Sequence, residues 1–188
     1  MVNNTQTLSI ESETTNLLND ITEDVIIEQE TNVNISYGAN ADRAAISETT
    51  LEILRRVGRA SDNYEIFITS TARTPYDQAR IMYNNIVRNG IAEQRRTYRE
   101  PGQRVLDVYE EQQRLRSDRQ QTISAMEERI IELGPSNVSR HCADHNQINV
   151  FDVAISRLTN SERFLTEIRA QADRVLDENN CYHIEINQ

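Results

Sequence analysis

Two short, largely apolar segments near the end of the chain, each containing polar as well as apolar side chains, most constrain how it can fold. Residues 150–154 carry Asp152 and residues 182–186 carry His183. Both segments are short, apolar and rich in β-branched or aromatic residues, which predicts two buried strands. A carboxylate among apolar side chains costs free energy unless it is paired or coordinated. With His141 on the loop that enters the first strand, we expect the three polar side chains to meet.

Two imidazoles and one carboxylate form a ligand set that is typical of catalytic zinc. Such a site keeps a fourth position open for water, whereas structural zinc sites are closed. The spacing alone does not decide this point, because the chain has only three histidines and short patterns often match by chance. On spacing alone, the preferred interpretation is that His141 and His183 are ordinary partly buried imidazoles and that Asp152 caps a turn.

The order of these residues resembles a known family. It is similar to the zinc D-alanyl-D-alanine carboxypeptidase and peptidoglycan endopeptidase family, most of all to phage-encoded members. This family shares its fold with the Hedgehog signalling domain. The resemblance covers about residues 32–188 and rests on the segment TSTARTPYDQ with Arg73, on Ser139 and His141, on Asp152, and on Tyr182, His183 and Glu185.

The resemblance implies an α+β fold, in which a small central antiparallel sheet has flanking helices, with a long helical insertion at about 90–135. It implies one zinc ion per chain, held by His141, Asp152 and His183. Arg73 would bind a substrate carboxylate, and Ser139 would assist substrate binding or loop geometry beside the metal. The implied substrate is a peptidoglycan stem peptide.

The chain departs from the family pattern at the catalytic acid. The family carries a glutamate three residues before its last histidine, and Asn180 stands at that position here. Asp152 also follows His141 at a longer interval than usual, which we interpret as a short insertion. The candidates that could move the proton of the attacking water are Glu178, Asp177, Glu185 and Asp144. We favour Glu178 as the catalytic residue.

Three functional hypotheses follow from these residues. The first is a zinc peptidase that cleaves peptidoglycan stem peptides and is associated with a phage. The second is a catalytically silent, metal-binding relative that serves as a virion or interaction protein, which the asparagine at position 180 would suit. The third is a metal-free scaffold in which Arg73 and Glu178 are structural.

The remaining elements are predicted from periodicity and turn residues. We expect strands at 33–38 and 64–70, and helices at 42–57, ended by Gly58, and at 75–87. A helical pattern extends over 103–133, where residues 116–122 are a solvated face, a bend or a hairpin tip. Thr159 and Glu162 form a capping box that predicts a helix as far as about Glu178.

Charge and composition bear on partners and location. The net charge is −10, and residues 1–42 contain eight acidic residues and no arginine. Residues 1–31 therefore read as an acidic tail, either a short helix on its own domain or a docking segment for a virion or other protein. We expect no nucleic-acid partner, because no basic face is evident. We also expect no membrane span and no signal peptide, hence synthesis in the cytoplasm followed by virion association or release to the cell wall.

Overall fold

The computed structural model describes residues 32–188. The acidic segment 1–31, predicted as a tail or docking segment, lies outside the described residues.

Five strands form one sheet in the order β1-β2-β3-β5-β4. The strands are β1 (Asn34–Asn40), β2 (Glu65–Ser70), β3 (Ile148–Ala154), β4 (Arg174–Glu178) and β5 (Cys181–Asn187). Strands β3 and β5, predicted from the two interrupted apolar segments, lie side by side near the middle of the sheet. This arrangement confirms the α+β class and the small sheet.

The sheet is mixed, so the prediction of an antiparallel sheet is wrong at one edge. Strand β1 pairs parallel with β2, and the other three pairings are antiparallel. Helix α1 (Glu48–Ala60) connects β1 to β2. A helical crossover of this kind returns the chain in its original direction and so produces a parallel pair.

Seven α-helices lie within residues 32–188. They are α1 (Glu48–Ala60), α2 (Pro75–Asn89), α3 (Ile91–Thr97), α4 (Glu100–Arg114), α5 (Arg119–Leu133), α6 (Pro135–Val138) and α7 (Ser161–Arg169). The pattern over 103–133 is two helices, and the stretch 116–122 contains the turn between them. Helix α1 begins later than predicted, because Ser47 caps its start and accepts a hydrogen bond from the Thr50 amide. The helix also continues past Gly58, where it was predicted to end.

The helix predicted to extend to Glu178 is wrong over its second half. Helix α7 ends at Arg169, and its cap is Asn160 rather than Thr159. Residues 174–178 instead form strand β4, paired with β5 along its whole length. The ladder with β5 outweighs the helical spacing of the local apolar residues, as tertiary context commonly does.

Two apolar cores hold the chain together. The first contains Phe151, Ile184 and the apolar face of α1, and it fills the space between one face of the sheet and helices α1 and α7. The second lies within the helical unit formed by α2 to α6 and contains Met82, Leu106 and Met126. The helical unit therefore has a core of its own and is more than a surface loop.

Candidate metal centre

The pairing of β3 with β5 sets the first two candidate ligands. Asp152 lies directly opposite His183 in the antiparallel ladder. Opposite residues project from the same face and have Cβ atoms about 4.5–5.5 Å apart. Their neighbours Phe151 and Ile184 point the other way, into the first core, and both are fully buried. Alternation along β5 places His183 and Glu185 on one face and the apolar side chains on the other, and Asp152 of β3 projects from the face that carries His183.

His141 completes the group from a short 3₁₀ turn, Arg140–Cys142. Its Nε2 atom lies 3.2 Å from Oδ1 and 3.1 Å from Oδ2 of Asp152. The backbone amide of Arg73 donates to the His141 carbonyl oxygen at 2.7 Å, which fixes this turn against the segment after β2. The imidazole rings of His141 and His183 lie 4.9 Å apart between centroids.

All four ring nitrogens of the two histidines face oxygen acceptors. His141 Nδ1 lies 2.8 Å from the Thr71 carbonyl oxygen. His183 Nε2 lies 3.3 Å from Oε1 of Glu185, and its Nδ1 lies 2.9 Å from Oδ1 of Asp152. A neutral imidazole carries one N–H group, so two neutral rings can satisfy only two of the four acceptors. When Thr71 and Glu185 accept these N–H groups, the two inner nitrogens, His141 Nε2 and His183 Nδ1, present lone pairs toward Asp152, an arrangement that could hold a metal ion.

The pKa values of Asp152 and His183 also favour a cation beside the Asp152 carboxylate. Burial alone would raise the pKa of Asp152, but hydrogen bonds from both histidines outweigh it and lower that pKa strongly. Burial lowers the pKa of His183, but its hydrogen bond to Asp152 and the charges of Asp152 and Glu178 raise it on balance. The carboxylate therefore holds its negative charge in the site and attracts a cation.

The three predicted ligands form a group that could hold a metal ion. Their ligand atoms all lie within 4.8 Å of one another, and both histidines are buried. Zinc bonds of about 2.0–2.1 Å in a tetrahedron separate ligand atoms by about 3.3 Å, close to the contacts that Asp152 makes with the two rings. The outer nitrogens, His141 Nδ1 and His183 Nε2, face away from Asp152. Each is engaged by an acceptor, as it is in most metal-binding histidines.

Glu185 orients His183 and is itself held by two arginines. It is 4% exposed. Arg140 Nε donates to its Oε2 at 3.1 Å, and Arg174 Nη1 donates to its Oε1 at 3.2 Å. Since both oxygens are engaged, Glu185 is unsuited to moving the proton of a water molecule. It fixes the ring of His183 with Nδ1 toward Asp152.

The Glu185→Gln substitution is expected to weaken zinc binding by about 10–100-fold, the usual cost of losing such an orienting carboxylate. The amide has one acceptor oxygen for three donors, so His183 loses its fixed orientation. Competition with a chromophoric chelator measures the affinity. Glu132→Gln is the matched control, because Glu132 also pairs with an arginine, Arg129, but is exposed on the helical unit. Equal zinc affinities of Glu185→Gln and wild type would contradict the assigned role.

Glu178 is the predicted catalytic acid. Its carboxylate faces the three candidate ligands, His141, Asp152 and His183, which form the triad. It lies on β4, about half exposed, with Oε1 3.9 Å from His183 Nδ1. Asp177 directly precedes Glu178 on β4, and its side chain points to the opposite face of the strand. Asp144 lies in an exposed loop, where it accepts hydrogen bonds from Asn146.

Asn180 belongs to the two-residue turn between β4 and β5. Asn179 and Asn180 have φ angles of 52° and 60°. A tight hairpin needs this left-handed backbone at both central positions, and asparagine tolerates it better than glutamate does. Asn180 therefore has a conformational role in the turn, and the carboxylate near His183 is that of Glu178 on β4.

Arg73 lies on the turn between β2 and α2, as predicted, and is anchored beside the triad. Its Nε and Nη2 both donate to Ser70 Oγ, at 3.0 and 2.6 Å, and its Nη1 donates to Gln78 Oε1 at 3.0 Å. Its Nη2 also lies 3.6 Å from Oδ2 of Asp152. Ser139, the other predicted substrate residue, directly precedes the His141 turn, makes no side-chain capping hydrogen bond to it, and lines the same cleft.

The triad opens onto a cleft of about 860 Å³ between the sheet and the helical unit. Three carboxylates line it, those of Asp152, Glu178 and Glu185. Five arginines also line it, namely Arg73, Arg88, Arg99, Arg140 and Arg174. Because arginine binds carboxylates through well-matched donors, this lining favours an anionic ligand, although the whole chain is acidic.

The sequence interpretation did not identify Arg140, Arg174, Gln78 or Tyr98, which line or support this cleft. Arg140 directly precedes His141, so its proximity could have been inferred. The other three reach the cleft only through tertiary packing, and no local pattern indicates them. Both cysteines, Cys142 and Cys181, are free.

Comparison of the chain with models of known protein families, with curated proteins and with solved structures gave no match. Within residues 32–188, none of the helices combines the length and the hydrophobicity needed to cross a bilayer.

Proposed function

We propose that this protein is a zinc metallopeptidase that hydrolyses peptide bonds in peptidoglycan stem peptides, as its resemblance to the zinc D-alanyl-D-alanine peptidase family implies. The observation that carries the proposal is the fixed orientation of the two histidines. Thr71 and Glu185 engage the outer nitrogens, so that both inner nitrogens face Asp152. This arrangement suits a metal ion that is bound by three side chains and open to a cleft.

His141 Nε2, the Asp152 carboxylate and His183 Nδ1 would hold the ion. Bound zinc supplies Lewis-acid polarisation of the scissile carbonyl and a water molecule of lowered pKa. Glu178 takes the proton of the attacking water and returns it to the leaving amine. Its half-exposed carboxylate lies on the open side of the triad, where a water molecule and a substrate can both reach it.

Arg73 binds a carboxylate of the substrate. Its position beside Asp152 places this anion close to the reacting bond, as cleavage near the end of a stem peptide requires. Arg88 and Arg99 also line the cleft, whereas Arg140 and Arg174 are paired with Glu185. Stem peptides carry free carboxylates, so their charge matches this lining.

Zinc stoichiometry is the first test of the proposal. We expect one zinc ion per purified wild-type chain and none in His183→Ala, because the remaining two ligands do not retain the ion against a chelator. Elemental analysis after dialysis measures both. His145→Ala is the matched control, because the third histidine lies in an exposed loop away from the triad.

Digestion of purified peptidoglycan by the zinc-loaded protein then separates the candidate functions. Release of new amino groups by wild type, but not by His183→Ala, supports the peptidase. Stoichiometric zinc without release of amino groups would instead support the catalytically silent relative that acts as a virion or interaction protein. Absence of zinc after reconstitution at neutral pH would contradict both and leave the metal-free scaffold.

A further inference from the structure

Tyr98 brings a phenolic hydroxyl from the helical unit into the metal cleft. It lies between helices α3 and α4 and lines the same cleft as Arg73, His141 and Glu178. Nothing in the assigned ligand or acid roles uses it. Its surroundings, however, hold it in one place.

Close backbone contacts fix the ring of Tyr98. A Cβ atom on Gly102 would lie 2.6 Å from Tyr98 Cβ and 2.7 Å from its Cδ1, so only glycine allows helix α4 to approach the ring this closely. The side-chain amide of Gln103 donates to the Tyr98 carbonyl oxygen. The start of α4 thus clamps both the backbone and the ring of Tyr98.

Gln78 connects the hydroxyl of Tyr98 to Arg73. Gln78 is fully buried, and its Oε1 accepts from Arg73 Nη1 at 3.0 Å. Its Nε2 donates to the Tyr98 hydroxyl oxygen at 3.0 Å. An arginine can only donate, so the orientation of this amide is determined, and the Tyr98 oxygen must be an acceptor from it.

The hydroxyl hydrogen of Tyr98 is therefore left for another partner. No acceptor for it is found among residues 32–188, and the hydroxyl lies at the cleft. Burial raises the pKa of Tyr98, while the nearby charge of Arg73 lowers it by less. The hydroxyl keeps its proton at neutral pH and remains a donor.

Arg73 alone offers an incomplete site for a carboxylate. A planar carboxylate is usually bound by two parallel N–H donors of one guanidinium edge. Ser70 occupies the edge formed by Nε and Nη2, and Gln78 takes one hydrogen of Nη1. A second donor from elsewhere would complete the pair.

We propose that the Tyr98 hydroxyl supplies this second donor, by hydrogen bonding to the same substrate carboxylate that Arg73 binds. Tyr98 is then a specificity-determining residue of the site, which selects peptides with a free carboxylate over their amides. The identity of the substrate class rests on the proposed function. The contact geometry of Arg73, Gln78 and Tyr98 is independent of the proposed function.

The test compares binding of acetyl-D-alanyl-D-alanine with binding of its C-terminal amide to the zinc-loaded full chain. Both the parent protein and its Tyr98→Phe derivative carry Glu178→Gln, so that the ligand is not consumed during calorimetry. We expect Tyr98→Phe to weaken binding of the free acid by about 10–100-fold, the cost of one hydrogen bond to a charged group. Binding of the amide should weaken by less, about 2–10-fold, because its uncharged carbonyl oxygen accepts a weaker hydrogen bond than a carboxylate does.

Tyr83→Phe in the same background is the matched control. Tyr83 packs edge-on against Tyr109 in the helical unit and does not line the cleft. The Tyr83→Phe substitution also removes one hydroxyl group, but it should leave the affinities for the acid and for the amide unchanged. A general loss of stability would instead affect both ligands and both variants alike.

Two results would overturn the inference, namely a parent protein that does not prefer the acid and a Tyr98→Phe variant that keeps the full preference. Either one does so even if wild type digests peptidoglycan. Conversely, a Tyr98-dependent preference in a protein that cleaves no stem peptide would contradict the proposed function and support this inference. The two failures are therefore distinguishable.

Discussion

The Glu178→Gln substitution is expected to lower the turnover of stem peptides by about 10²–10⁴-fold, the usual contribution of a positioned general acid–base group. The amide keeps the size of the side chain but cannot accept and return a proton. Zinc content should remain at the wild-type level, since Glu178 lies outside the ligand triad. The measurement is the rate of amino-group release from purified peptidoglycan, with zinc determined on the same samples.

Asp177→Asn is the matched control for this experiment. Asp177 is adjacent on β4, carries the same charge and projects from the opposite face of the strand. We expect its turnover to stay within about twofold of wild type, because a solvated charge there changes local electrostatics only slightly. Wild-type activity of Glu178→Gln would show that another group moves the proton.

The Phe151→Ala substitution is expected to reduce the free energy of unfolding by about 3–5 kcal/mol, the usual range for a fully buried phenylalanine. Phe151 is 0% exposed in the first core and immediately precedes Asp152 on β3. The cavity would lie between the sheet and helices α1 and α7, which are the supports of the ligand face. Urea denaturation of the metal-free protein measures the change without a contribution from zinc.

Val87→Ala provides the comparison, because Val87 is 65% exposed on α2. Its effect should stay within about 0.5 kcal/mol. A small effect of Phe151→Ala would mean that the face opposite Asp152 is not the main core. The two-sided architecture of β3 would then be wrong.

The ligand strands could be predicted because their sequence is unusual in a way that only burial and pairing explain. Asp152 and His183 each interrupt an apolar segment. The antiparallel register of β3 and β5 then places them directly opposite each other. The position of His141 followed from the loop that enters the same strand.

The surroundings of the triad could not be predicted from local patterns. Residues 170–178 contain apolar residues at spacings compatible with a helix, and only pairing with β5 makes residues 174–178 a strand. The expected location of Glu178 at a helix end was therefore wrong, although the residue does lie beside His183. Its nearness to the triad comes from the hairpin turn at Asn179 and Asn180.

The support of Arg73 depends on contacts between distant segments. Gln78 and Tyr98 are twenty residues apart in the chain and are joined by a side-chain hydrogen bond. The helical unit was predicted as an insertion with helical periodicity. Its contribution to the cleft could not be, because periodicity identifies the buried face of a helix and not the partner that the other residues meet.

The strand order has a consequence for thermal inactivation. The ligands Asp152 and His183 lie on β3 and β5, each of which has a neighbouring strand on both sides, whereas Glu178 lies on the edge strand β4. Edge elements with few buried contacts open locally at a lower free energy than central strands. Fraying of β4 withdraws the acid while the ligand strands stay paired. Warming is therefore expected to displace Glu178 before it separates Asp152 from His183.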